Sequence, residues 1–213
     1  MDQELQKAQE ARERIVETGD ILFRQYGTRT ITMDEIARQM GVSKKTLYQH
    51  FQNKDALVTT VIEHGILQIQ EMCKKFQLQA KDAIEEIILF MQYNDQLFRN
   101  MNPVILLDLQ KFHPRAFEVF QHHKNQFLQK IILENLEWGT REGLYREGIN
   151  LEIISRFRME SAMLCFQPQV FPNTDFDMRT VQKELLEHYL YGISSPKGQE
   201  LIEPYKKIYL HHL

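Results

Sequence analysis

The chain is poor in the residues that punctuate a fold. Its 213 residues hold nine glycines and six prolines. Sheet-rich proteins turn often and draw on both types, whereas long helices need few of either. Strand-like alternation of β-branched residues is scarce as well. These shortages argue against a β architecture and point to an all-α protein. Cysteine is also sparse. Cys73 and Cys165 stand far apart, without the close spacing of a metal or dithiol site. Each sits among apolar neighbours and reads as a small buried hydrophobe. No apolar run approaches the ~20 residues needed to span a bilayer. The opening segment, MDQELQKAQEARERIVETG, is charged and helical, unlike a secretory leader. We therefore expect a cytoplasmic protein with no membrane partner.

Catalytic signatures are missing too. The sequence has no G-x-x-x-x-G-K-[ST], H-E-x-x-H or G-x-S-x-G run. Glu118 and His122 share a helix face but lack an evident third ligand. The adjacent pairs His122–His123 and His211–His212 each point to different faces of a helix, and we assign them no role. The expectation is no enzyme, no metal and no cofactor.

What is present is an ordinary globular composition, 43% hydrophobic and 26% charged, with enough apolar residues for a sizeable core. The formal net charge is −3. Its distribution is uneven: between residues 24 and 54, Arg24, Arg29, Arg38, Lys44, Lys45 and Lys54 face only Asp34 and Glu35. Such a local basic patch suits phosphate binding. A solvated helical surface can look similar, so charge alone does not decide.

Periodicity places a first helix over about 4–26, with Gly27 as its stop. Thr32 can cap a second helix, and Glu35 completes a capping box. Gly41 breaks that helix, and Ser43 caps a third over about 44–50. A long fourth helix starts at Gln52 or Asn53. Others are expected over 81–99, from Pro103 to Phe112, from Pro114 to Trp138 and beyond, and over 151–166, 176–192 and 197–208. Gly143 should cap the turn near 141–150.

Two short helices with RQMGVSK between them read as a helix-turn-helix. The second helix of that motif lies in the DNA major groove, its N-terminal residues near base edges. Here those residues are Lys44 and Lys45, and Lys can donate to guanine O6 and N7. Thr32, Thr46, Tyr48, His50 and Lys54 supply further donors around the groove.

The run T-x-D-E-I-A-x-x-x-G-V-S-K-K-T-L-Y-Q-H-F-Q-N-K-D-A-L resembles the N-terminal domain of the TetR family of bacterial transcriptional regulators. The close match covers residues 28–57, and a broader one covers about 10–65. The resemblance implies a homodimer. Each subunit would have a helix-turn-helix DNA-binding head, 1–55, and a helical ligand-binding and dimerisation body, 56–213. It implies phosphate contacts for Tyr48, His50 and Lys54, a DNA contact for Thr46, and base reading by Lys44 and Lys45. Thr32 matches the start of the second helix, whose end often touches phosphate. Lys45 departs from the small residue that many members carry there, which leaves the preferred operator open.

In the body, Met91, Phe98, Phe112, Phe117, Phe120, Phe127, Trp138, Met159 and Met163 are candidates to line a pocket for a small apolar or amphipathic effector. Tyr93, Asn94, His113, Gln126 and Arg158 are candidate polar groups there. As the resemblance implies, the last two long helices should form the dimer contact. Ile154, Phe157, Ser161, Leu164 and Cys165 mark one face, and Val181, Leu185, His188 and Tyr189 mark the other. The function expected is a ligand-responsive repressor on double-stranded operator DNA. The alternatives are a regulator of this fold without a small ligand, a helical enzyme with a vestigial head, and an architectural DNA binder.

Overall fold

The computed structural model describes residues 2–210, so the His211–His212 pair lies outside the described residues. Eleven α-helices follow one another among them: α1 (Asp2–Tyr26), α2 (Met33–Met40), α3 (Lys44–His50), α4 (Lys54–Gln79), α5 (Ala83–Phe98), α6 (Ile105–Phe112), α7 (Pro114–His123), α8 (Gln129–Arg141), α9 (Leu151–Met163), α10 (Met178–Ile193) and α11 (Pro196–Tyr209). No strand occurs among the described residues; a single bridge pairs Tyr145 with Ser194.

The expected caps form. Thr32 Oγ1 accepts from the Glu35 N–H at 3.2 Å, and Glu35 Oε2 accepts from the Thr32 N–H at 2.7 Å. Gly41 takes the left-handed conformation at φ 66°, where a side chain would be strained. Gly143 does the same at φ 70°. Two expectations shift. Pro103 lies in the turn before α6, because Asn102 Oδ1 accepts from the Val104 N–H and the Asn102 carbonyl from the Ile105 N–H. The long helix from Pro114 is interrupted by a π turn at Lys124–Leu128, which periodicity did not reveal.

The chain divides into two compact units. Unit 1 comprises residues 1–68 and 100–121; unit 2 comprises 69–99 and 122–213. Compactness thus cuts the chain elsewhere than at the 55/56 boundary expected for function. The core of unit 1 joins Ile15 and Phe23 of α1, Ile36 of α2, Leu47 of α3, and Leu57 and Val58 of α4 to Leu109 of α6 and Ala116 of α7. The α6 segment also holds the end of α1. The Asn102 N–H donates to the Arg24 carbonyl at 2.6 Å, and Asp108 Oδ2 accepts from the Arg29 N–H at 3.1 Å. Inside this unit the buried His113 Nδ1 lies 2.6 Å from Asp55 Oδ1.

Unit 2 is built on α5, α8, α10 and α11, around Ile84, Ile88, Leu136, Leu190 and Ile202. A polar network runs through it. Tyr145 Oη donates to Asn135 Oδ1 at 2.7 Å, and Asn135 Nδ2 donates to Glu86 Oε2 at 2.6 Å. Burial pushes the Glu86 carboxyl above its ordinary range. Tyr145 lies against Gly139, where an added Cβ would meet its ring at 2.2 Å.

His123, at the start of the π turn, is buried and stacked on Phe127 at 5.2 Å, and Gln70 Nε2 lies 3.4 Å from its Nδ1. Burial lowers its pKa from 6.5 to about 4. The unfolded chain therefore takes up a proton in that range that the folded chain refuses. The associated stability is complete above pH 6.5 and is lost as pH falls toward 4. The full difference is of order 3 kcal/mol.

Two predictions follow from this packing. Leu109→Ala should cost about 2–5 kcal/mol in denaturant unfolding, as expected for truncation in a closed core; a loss under 1 kcal/mol would mean that α6 is not part of it. Wild-type protein should lose stability more steeply than His123→Gln between pH 6.5 and 4, and parallel pH profiles of the two would refute the role given to His123.

Candidate nucleic-acid interface

α3 is only seven residues long. Isolated helices of that length do not persist in water. Three features hold it. Ser43 caps its start, its Oγ accepting from the Thr46 N–H at 3.1 Å. Leu47 is fully buried beneath it. Phe51 closes its end, buried under the guanidinium of Arg12 at 4.9 Å. With Leu47 inward, Lys44, Lys45, Tyr48 and Gln49 are exposed.

Thr32 is exposed at the start of α2. The hydrogen bond from the Thr32 backbone, reinforced by its hydroxyl, holds the Glu35 carboxyl below its usual range. Lys44 Nζ reaches Asp34 Oδ1 at 2.7 Å, both groups being largely exposed, and this contact raises the lysine pKa. The same ammonium lies 6.0 Å from the centre of the Tyr48 ring. Water screens exposed pairs of this kind, so Lys44 is easily released to a phosphate or base. Among the described residues no carboxylate pairs with Lys45 or His50. Thr46 and His50 are half-buried, the Thr46 hydroxyl sharing a 2.8 Å hydrogen bond with Ser43. Lys54, also half-buried, has its pKa lowered by desolvation against the pull of Asp108, Asp55 and Glu35.

Sequence reasoning did not single out Gln49. It lies four residues after Lys45 and one after Tyr48, on the outward side of α3. Its amide can read an adenine edge. Once Leu47 is placed inward, helical spacing alone marks it.

The residues expected at an effector pocket scatter. Phe112, Phe117 and Phe120 belong to unit 1. There Phe117 packs on the core, Phe120 lies 6.5 Å from it, and Phe112 is exposed under the Arg29 guanidinium. In unit 2, Met91, Asn94, Asp95, Phe98, Arg179, Gln182, Lys183 and Leu186 line a small, shallow cleft partly open to solvent. Met91 and Phe98 are thus brought together. Phe127 stacks on His123, Trp138 Nε1 donates to Glu142 at 2.7 Å, Met159 is buried and Met163 half-buried, and none of these four lines that cleft.

Of the residues expected at a dimer contact, Phe157 and His188 are exposed, and Ile154, Leu164 and Leu185 are half-buried. Ser161, Cys165, Val181 and Tyr189 are buried within unit 2 itself. Glu118 and His122 are both exposed, and no cluster of metal-ligating side chains occurs among the described residues. No helix there is long and apolar enough to cross a membrane.

The cap supplies a direct test. Thr32→Ala should destabilise the protein by about 0.5–2 kcal/mol in urea unfolding. Thr32→Ser should restore most of the loss, because the hydroxyl is what α2 uses.

Comparison with known proteins bears on the same segment. Residues 15–61 match the model of the bacterial regulatory proteins, tetR family. The chain is 23% identical over 189 residues to the HTH-type transcriptional repressor KstR2 of Rhodococcus jostii, covering 87% of this chain and 92% of that protein. It is 28% identical over 159 residues to the HTH-type regulator YerO of Bacillus subtilis, covering 72% of this chain but only 55% of that one. Among solved structures, a TetR-family regulator from Agrobacterium tumefaciens superposes with a TM-score of 0.74 at 12% identity, over 88% of this chain and 100% of its own. The regulator FadR of Bacillus subtilis, solved in complex with stearoyl-CoA, gives 0.63 at 20% identity, over 85% and 98%. Residues 15–61 thus carry the sequence pattern of the tetR family, and the chain as a whole shares the fold of the solved TetR-family regulator.

Proposed function

We propose that this protein is a DNA-binding transcriptional regulator of the TetR family and a ligand-responsive repressor. As a homodimer it binds a palindromic operator and is released by a fairly apolar small molecule. The observation that carries the reading is α3. It is a short helix seated by Leu47, with Lys45 uncompensated and Lys44, Tyr48 and Gln49 facing outward. Residues 1–55 act as the head and 56–213 as the body. In the major groove, Lys44 and Lys45 reach base edges, while Thr46, Tyr48, His50 and Lys54 hold phosphates. Thr32 presents the start of α2 to the backbone. A two-fold dimer suits half-sites one helical turn, roughly 34–36 Å, or a multiple apart. Phe157, Leu185 and His188, on the outward sides of α9 and α10, are the dimer contacts we favour.

The cleft lined by Met91 and Phe98 is the effector site, and the neighbour solved with stearoyl-CoA lends support to a ligand in a body of this fold. α4, which contributes residues to both units, is the lever. Effector and operator favour different conformations, a coupling typically worth ~1–3 kcal/mol and reciprocal between the two ligands. The protein works in the cytoplasm, with no catalytic step and no cofactor.

Selection of the purified protein on random duplex DNA, at a stated salt concentration, should enrich one palindrome. Recovery of no preferred sequence would instead indicate architectural binding. On the enriched site, Tyr48→Phe should weaken every duplex about equally. Lys44→Ala should relax discrimination at one base pair by ~1–3 kcal/mol. Unchanged binding by both variants would remove α3 from the groove.

A further inference from the structure

Arg12 of α1 is a cation that the chain leaves without an anion. Its guanidinium sits over the Phe51 ring, 4.9 Å from the centre, and its Nη2 lies 3.4 Å from Thr60 Oγ1. Among the described residues no carboxylate pairs with it. Its acidic neighbours on α1 bond elsewhere, Glu10 to Gln6 and Glu13 to Gln9. An aromatic ring has no lone pair in the plane of a guanidinium, so Phe51 uses none of the five N–H donors. The contact with Thr60 is longer than an ordinary N–H···O bond. Arg12 is half-buried, and none of its nitrogens is enclosed without a partner, so the spare donors meet solvent.

The packing of unit 1 says where those donors stand. α1 and α4 run side by side in the same direction. Arg12 meets Thr60, a Cβ added to Gly19 would lie 3.2 Å from Val61, and one added to Gly65 would lie 3.2 Å from Arg24. The first turns of α1 therefore stand at the end of the unit where α3 finishes and α4 starts. His50 directly precedes Phe51 there, and Lys54 follows three residues later. Acceptors at this turn are already engaged. Asp55, next to Lys54, is paired with the buried His113 at 2.6 Å, and Asn53 Oδ1 accepts from the Ala56 N–H at 2.8 Å. We propose that Arg12 is a DNA-backbone contact, holding a phosphate beside the α3–α4 turn with the donors that Phe51 leaves free. A guanidinium suits a phosphate because two of its N–H groups can meet two oxygens at once. The Phe51 ring holds the group in place beforehand, which lowers the conformational cost of using it. The proposal rests on the reading of α3 as the helix in the groove and extends that footprint to α1.

The test measures binding of the full chain to a random-sequence duplex pool across a salt series, because phosphate contacts carry no sequence information. Each neutralised phosphate contributes about 0.9 to the slope of log affinity against log salt. Arg12→Gln should make that slope shallower by about this amount per bound subunit. It should also weaken low-salt binding about tenfold, the scale of a hydrogen bond to a charged group. Arg12→Lys should keep the slope. A role confined to clamping Phe51 predicts otherwise: Arg12→Gln would bind more weakly, or as well as wild type, with the slope unchanged, and that result overturns the proposal. Lys54→Gln separates this failure from failure of the wider reading. A shallower slope there, with none in Arg12→Gln, keeps the groove assignment and rejects Arg12 alone. No duplex binding by wild type at low salt overturns both. Should Arg12→Gln not fold, the wild-type protein decides through modification by phenylglyoxal, a reagent for guanidinium groups. DNA should shield Arg12, while the exposed Arg14, about 200° further round the helix, should react as before. Equal reaction of Arg12 with and without DNA would reject the contact.

Discussion

A seven-residue helix does not stay folded by itself, and the surface we assign to DNA is carried on one. Leu47 is the side chain that makes α3 permanent. Its complete burial aligns the helix on α2 and α4 and turns Lys44, Lys45, Tyr48 and Gln49 outward. The caps at Thr32 and Ser43 and the left-handed Gly41 set the angle between α2 and α3. They shape the turn, while burial of Leu47 supplies the anchorage. Outward polar residues on a floppy segment would carry the same charge with none of the geometry.

The core beneath that helix extends beyond the first four helices. Leu109 and Ala116, some fifty residues after Leu57 and Val58, complete it. Asn102 and Asp108 tie down the end of α1, where Gly27 has no room for a side chain: an added Cβ would stand 2.8 Å from Asp108 Oδ2. α6 thus bears on the packing that seats α1, and α1 shares its core with α3.

Unit 2 handles buried polarity in two ways. The Glu86–Asn135–Tyr145 network gives each group a partner, and burial favours a protonated carboxyl there, which lowers the cost of enclosing it. Arg158 has no such relief: it is buried, and its Nη1 is enclosed without an acceptor.

How much of this was legible beforehand depends on the range of the forces involved. Thr32 with Glu35, Gly41 and Ser43 are local signals, acting within three or four residues, so the order of helices and their caps could be read directly. The motif around Tyr48 and His50 is contiguous, and it carries the resemblance to the tetR family. The π turn at Lys124 was not legible, because one extra residue in a helix leaves the hydrophobic spacing on either side nearly unchanged. The burial of Glu85 and Glu86 was not legible either, because the groups that hydrogen-bond them, Tyr209 and Asn135, are distant in sequence. Likewise the nine apolar residues expected around one pocket divide between two units, because amphipathic spacing tells which side of a helix is buried but not what buries it. The sequence by itself determined the helical class, the capped head and its outward donors. Only the tertiary structure decided which distant helices complete each core and which buried charge is left without a partner, since those outcomes are set by contacts between residues far apart along the chain.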